Sequence, residues 1–269
     1  MMNDNSMENS SDRKRESLRR KYRLEFDWHT HTSYSRSGPY LHAKGTILEV
    51  ASAASALGLK EVAITDHGPG EIYGINQRDI PKMRDEIAEA KVLFPELNIL
   101  LGVEANFKNT PNGLDVKAED FELYDFVNAG YHYGVLGSAM ISNTVNRYHM
   151  LGKAGINELR KFNTELAVRA LYSNNIRVLT HPGDKGPFDM RTLCKACEDT
   201  NTLMEINSKH KHMTVNEIRL AAKYDVQFII GSDAHQPSQV GRYVHSLERA
   251  IEAGLDIGRI VNIVELEDK

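Results

Sequence analysis

Short apolar runs alternate with segments of helical period along most of the chain. The runs lie at Leu24–His31, Glu61–Gly68, Asn98–Glu104, Phe126–Gly130, Arg177–Pro182, Thr202–Asn207 and Gln227–His235. Most are near-continuous apolar runs, as expected of strands covered on both faces in a parallel sheet. Between the first two, Ile47, Val50, Ala51, Ala54 and Leu57 recur at the spacing of one helix face, and Gly58 is placed to end that helix. Further helices are predicted at Asp79–Phe94, Asn157–Tyr172, Asp189–Asp199, Thr214–Tyr224 and about Val244–Ala253. Pro81 sits in a first turn, where proline is tolerated. Thr214 with Glu217 three residues later has the pattern of a capping box. A short segment at Ile260–Val264 completes the chain.

Strand and helix thus alternate about seven times, the signature of an α/β fold with a parallel sheet. The simplest closed arrangement is an incomplete version of the eight-fold barrel. An open doubly wound sheet competes with it. Against the open sheet, no G-x-G-x-x-G follows the first strand. Ligand-type side chains also end nearly every strand, whereas an open sheet would gather them at one switch point.

Three segments break the alternation. Residues 1–21 are rich in Asn, Ser, Arg and Lys and read as a mobile polar arm, with helical tendency at Arg13–Lys21; residues 22–269 read as one barrel domain. Tyr133–Gly155 shows no clean period and reads as an excursion over the active face, and Leu114–Val116 reads as a small excursion.

Composition narrows the function. At 41% hydrophobic, 26% charged and net charge -4, the chain is an ordinary globular sequence without a broad nucleic-acid footprint. No apolar stretch is long enough to span a bilayer, and no apolar h-region opens the chain, so a cytoplasmic protein with no membrane partner is expected. Cys194 and Cys197 supply half a zinc site at most, and at helical spacing they read as reduced thiols.

Eleven histidines are the unusual feature. His29 and His31 lie two apart on the first strand, so their side chains share a face. The other strand ends bring His67, Glu104, His132, His181, Asp233 and His235, and the first loop brings His42. Imidazole nitrogen with carboxylate oxygen, and no thiolate, suits zinc, manganese or iron. Any one of these residues would be a weak signal. Six of the seven predicted strands ending in a possible ligand point to a multinuclear metal site.

These residues carry a resemblance. Asp27-x-His29-x-His31, His42, Thr65-Asp66-His67-Gly68, Gly102-x-Glu104, Gly130-Tyr131-His132, Thr180-His181-Pro182 and Gly231-Ser232-Asp233-x-His235 resemble, in order, the motif series of the PHP (polymerase and histidinol phosphatase) superfamily. The match runs from about Arg23 to the end of the chain and is closest to the small stand-alone phosphoesterase members. The resemblance implies a distorted (β/α)7 barrel with three divalent ions and phosphoesterase activity. It implies His29, His31, Glu104 and Asp233 at a first ion, Glu104, His132 and His181 at a second, and His42, His67 and His235 at a third. Three such ions carry six positive charges against two carboxylates, a surplus that would hold a phosphate dianion while a metal-bound hydroxide attacks.

Groups beyond the ligands are less specific. Arg36, Asn207 and Lys209 lie past strand ends and are candidate phosphate-binding residues, and Arg147 and His149 are similar candidates in the excursion. His210, or His212, is a candidate to protonate a leaving oxygen. Asp66 and Asp27 are expected either to orient neighbours or to cap turns. The expected function is hydrolysis of a small phosphate monoester or nucleotide, short oligonucleotides included. A metal-dependent amide or ester hydrolase and a non-catalytic phosphate-binding module are the alternatives.

Overall fold

The computed structural model describes residues 4–137 and 139–267, with side chains described from residue 12 onward. Residues 1–3 of the expected arm lie outside the described residues. Seven strands form one all-parallel sheet: β1 (Phe26–Thr30), β2 (Glu61–Ile64), β3 (Asn98–Asn106), β4 (Phe126–Gly130), β5 (Ile176–Leu179), β6 (Leu203–Glu205) and β7 (Phe228–Ile229). They lie side by side in chain order, from β1 to β7. The helices between them are α2 (Ile47–Ala56), α3 (Ile80–Leu93), α4 (Met140–Arg147), α5 (Lys153–Ser173), α6 (Met190–Thr200) and α7 (Val215–Ala221), preceded by α1 (Asp4–Lys21) and followed by α8 (Val244–Ala253).

The sheet curls until its edges meet. Thr30 at the end of β1 bridges in parallel to Ala234 beyond β7, and the His31 amide donates to the Ala234 carbonyl at 2.8 Å. Lower in the seam the strands do not pair directly, and one side chain fills the gap. The Asn262 amide donates to the carbonyls of Phe26 and Ile230, both at 2.8 Å, and accepts from the Ile230 amide at 3.0 Å. An amide that mimics a strand's donors and acceptors satisfies the edge groups that a missing eighth strand would have paired. This is the distortion in the seven-stranded barrel.

The core lies between the strands and the inner helix faces. Ile64, Ile99, Leu101 and Val103 are buried on the sheet, under Ile47 and Val50 of α2 and Met83 and Ile87 of α3. Burying each such side chain is worth about 1.5–3 kcal/mol. Thr46 and Glu49 form a complete capping box at α2, as Thr214 and Glu217 do at α7. Cys194 and Cys197 face the core of α6 as free thiols, and burial pushes Cys194 up to about 12.

Several predicted elements differ in extent. The first run divides, because Tyr22–Leu24 pairs antiparallel with Ile263–Glu265 instead of joining the barrel. The last strand stops at Ile229, where the next amide, that of Ile230, donates to the Asn262 side chain at 3.0 Å. Helix α7 ends at Ala221, three residues short of the expected Tyr224. The excursion at 133–155 contains α4, hidden from a periodicity search by its unusual burial. Residues 4–21 form α1, with Leu18 against the core and Arg15 paired to Glu248 at 3.4 Å.

Candidate metal centre

All the strand ends point into one pit at the carboxyl side of the sheet. Glu104, fully buried near the end of β3, is its hub. Its Oε1 lies 3.2 Å from His29 Nε2 and 2.9 Å from His181 Nε2. Its Oε2 lies 3.5 Å from His31 Nε2, 3.2 Å from His67 Nδ1 and 3.4 Å from His132 Nε2. Asp233 completes the far side, with Oδ1 at 3.4 Å from His31 Nε2 and 3.2 Å from His235 Nδ1.

Four triads place one ligand atom per residue within 4.8 Å of each other: His29, His31 and Asp233; His29, Glu104 and His181; His67, Glu104 and His132; His31, His67 and His235. Eight of the nine residues singled out in the sequence fall in these triads. His42 stands just outside, its ring 4.8 Å from that of His235 and 5.1 Å from that of His67.

Protonation follows from this crowding. Burial, reinforced by neighbouring imidazoles, holds His31 well below its usual pKa, and burial takes His42 down to about 3. His67 and His132 are also lowered chiefly by burial. Burial works against the charged forms of Glu104 and Asp233, yet the surrounding imidazoles hold both carboxyls well below the usual range. Neutral imidazoles beside ionised carboxylates are the states that metal ligation requires. His29 is the exception. Burial opposes its protonation, but Glu104, Glu205 and Asp233 together raise its pKa, so three carboxylates converge where a cation is called for.

A supporting ring fixes the ligand-type side chains. Glu205 Oε1 accepts from His29 Nδ1 at 2.6 Å, which leaves the Nε2 lone pair facing the pit. Its Oε2 accepts from the His181 amide at 2.7 Å and from Asn207 Nδ2 at 2.9 Å. Asn106 Oδ1 does for His132 Nδ1 what Glu205 does for His29, also at 2.6 Å. Such partners fix the tautomer of a ligating ring. Asp66 accepts from the Thr32 amide and hydroxyl and from Ser35 Oγ, and so shapes the loop after β1. Asp27 accepts from the amides of Ser232 and Gly241, tying β1 to the segment that carries Asp233.

The backbone is bent to suit. His181 and Asp233 hold positive φ, at 28° and 50°, a conformation that non-glycine residues rarely adopt and that clusters at functional sites. A Cβ on Gly231 would lie 2.0 Å from Glu205 Oε1 and 3.0 Å from His29 Cβ, so only glycine leaves room for that pair.

Sequence reasoning missed Glu205 and Asn106. The sixth strand seemed to end without a ligand-type group, but a lone carboxylate inside the apolar run Leu203–Ile206 was the available signal. The other candidates separate. Lys209 and His210 line the cavity over the pit, as do Arg147 and Lys185. Lys209 Nζ is 3.3 Å from Asp233 Oδ1, and the His210 ring is held between Asp184 and Asp233 at 3.2 and 3.1 Å. Arg36 turns away to Asp79 at 3.5 Å. Asn207 is buried and spends its amide on Glu205, Asp233 and the amides of Lys209 and His210. His212 pairs with Glu217 at the start of α7, and His149 is exposed outside the cavity.

Fold and site together define a parallel α/β barrel with buried histidine and carboxylate clusters consistent with a polynuclear metal site. The chain belongs to the PHP domain family: the profile described as PHP domain matches residues 27–235, and one described as PHP-associated matches residues 216–259. It is 32% identical over 251 residues to a protein of Proteus mirabilis named "Probable phosphatase", covering 88% of this chain and 89% of that one. A protein of the same name from Shewanella frigidimarina is 26% identical over 251 residues, covering 88% of each. The fold is similar to that of histidinol phosphate phosphatase from Lactococcus lactis, solved with zinc, L-histidinol and phosphate. That likeness has a TM-score of 0.58 at 15% identity, over 87% of this chain and 95% of the other.

Proposed function

We propose that the protein is a metal-dependent phosphoesterase that hydrolyses a small phosphate monoester at a site for three divalent ions, zinc, manganese or iron. One observation carries the reading. His29 Nε2, both ring nitrogens of His31 and of His67, and Glu104 Oε2 are buried without hydrogen-bond partners, and each of the three rings brings a nitrogen to within 3.5 Å of a Glu104 oxygen. Each such atom costs about 1–3 kcal/mol if left unsatisfied, so a cluster of them fits a group that accepts lone pairs. When bound, divalent ions supply positive charge for the phosphate oxygens and make water acidic enough to attack.

The chain's own residues do the rest. His29, His31, Glu104 and Asp233 suit one ion, Glu104, His132 and His181 a second, and His67 and His235, with His42 beside them, a third. Lys209 and Lys185 put positive charge at the cavity wall, where the phosphate would enter. Arg36 and Asn207 do not line the cavity, whereas Lys185 and Lys209, paired to Asp184 and Asp233, do, which favours the two lysines as phosphate-binding groups. His210 lies beside the pit and is the group placed to protonate the leaving oxygen. Among the described residues no helix is long and apolar enough to cross a membrane.

The test is phosphate release from a panel of phosphomonoesters, run beside amide and carboxyl-ester panels with zinc and with manganese. Turnover of phosphomonoesters is expected, and turnover confined to amides or carboxyl esters would reject the reading. Metal and phosphate binding without turnover of any ester would favour the binding-module alternative.

A further inference from the structure

The cavity above the pit has about 690 Å³, within the range of small-molecule sites, and its two ends differ in chemistry. The floor is imidazole and carboxylate. The far wall is apolar and aromatic, formed by Ile72, Tyr73, Tyr133 and the α4 residues Met140, Ile141 and Val145.

Helix α4 is inverted relative to an ordinary surface helix. Asn143 is its one buried residue, and its amide exchanges two hydrogen bonds with Asn163 of α5, at 3.0 and 2.9 Å. A reciprocal amide pair therefore anchors the helix. The apolar side chains, which would normally make that anchor, line the cavity instead. Ile141 is 74% exposed and Ile72 56% exposed, an apolar surface left open beside a site rich in charge. Arg147, at the end of the same helix, lies over the Tyr133 ring at 5.3 Å. Tyr73 stacks on His42 at 4.4 Å and 12°, so the aromatic wall runs down to the pit. The polar groups on this wall are Glu71, Thr144, Arg147 and the hydroxyls of Tyr73 and Tyr133, set among the apolar side chains of Ile72, Met140, Ile141 and Val145.

Resting on the phosphoesterase reading above, we propose that the α4 wall is a recognition site for a flat, apolar leaving group, so that the preferred substrates are ring-bearing phosphate monoesters and not polyol phosphates. The phosphate sits on the histidine floor, and the ring lies against Ile141 and Val145 beside the Arg147–Tyr133 pair.

Two non-hydrolysable phosphonates test this by calorimetry on the metal-loaded protein: 3-phenylpropylphosphonate and 3,4-dihydroxybutylphosphonate. They share the anionic head and differ in the tail. The wild type should bind the phenyl compound at least about tenfold more tightly. The Ile141→Ser/Val145→Ser variant, altered at half-exposed or exposed positions, should lose that preference while binding the diol as before. Equal affinities in the wild type, or an unchanged preference in the variant, would overturn the proposal. Turnover of 2-phenylethyl phosphate and glycerol 1-phosphate is measured in parallel. No turnover of either, with the phenyl preference intact, would overturn the phosphatase reading and leave the recognition site standing.

Discussion

Glu205 shows what a single carboxylate controls here. Its two oxygens hold the ring of His29 and the amide of His181, two residues on different strands. Glu205→Gln would place an amide NH₂ or a weaker acceptor against His29 Nδ1 and favour the tautomer protonated at Nε2, the nitrogen that faces Glu104. Metal affinity should fall about 10–100-fold, read by competition with a chromogenic chelator. Unchanged affinity would show that His29 needs no such partner. His31→Ala and Asp233→Ala should each abolish turnover while circular dichroism stays near wild type. Glu71 makes a different prediction. Burial, with Asp115 nearby, raises its carboxyl to about 7. A carboxyl raised in the folded state is harder to ionise there than in the unfolded chain. Its contribution to stability is therefore full below about pH 4.5, declines as pH rises toward 7, and is a constant penalty above that. Glu71→Gln should thus gain thermal stability relative to wild type at pH 8 but not at pH 5. A gain independent of pH would contradict the assignment.

At the scale of elements, the parts legible in the sequence were those whose burial follows a simple period. Helix α8 was expected at Val244–Ala253 and is found there, because Val244, Leu247 and Ala250 repeat at helical spacing toward the core. The capping box at Thr214 was legible for the same local reason. Helix α4 was not, because its buried residue is Asn143 and its apolar residues face the cavity, the reverse of the pattern a periodicity search looks for. Its anchor is testable. Asn163→Ala leaves the Asn143 amide buried without its partner and should cost about 1–3 kcal/mol in chemical denaturation. Amide exchange across residues 140–147 should quicken with it. A loss of stability without faster exchange there would place the effect in α5 instead.

For the whole molecule, the gathering of the strand ends was readable, since six of the seven predicted strands carry a ligand-type residue at one end. That the barrel closes was expected; the contacts that close it were not readable. The Asn262 plug and the Asp27 tie between β1 and the Asp233 segment are side-chain to backbone contacts between residues about 200 positions apart, and neither leaves a period. The site also sits at the point where the barrel is sealed, so metal and fold should be coupled. Stripping the ions with a chelator should lower the melting temperature by several degrees, as expected when a ligand bound only by the folded state is removed. An unchanged melting temperature would mean that the histidine cluster holds nothing that matters to the fold. The most direct test of the central claim is phosphate release from a phosphomonoester by chelator-stripped protein as zinc or manganese is titrated back. No release is expected without metal, and activity should rise to a plateau near three equivalents per chain. Undiminished release from the stripped protein would contradict that claim.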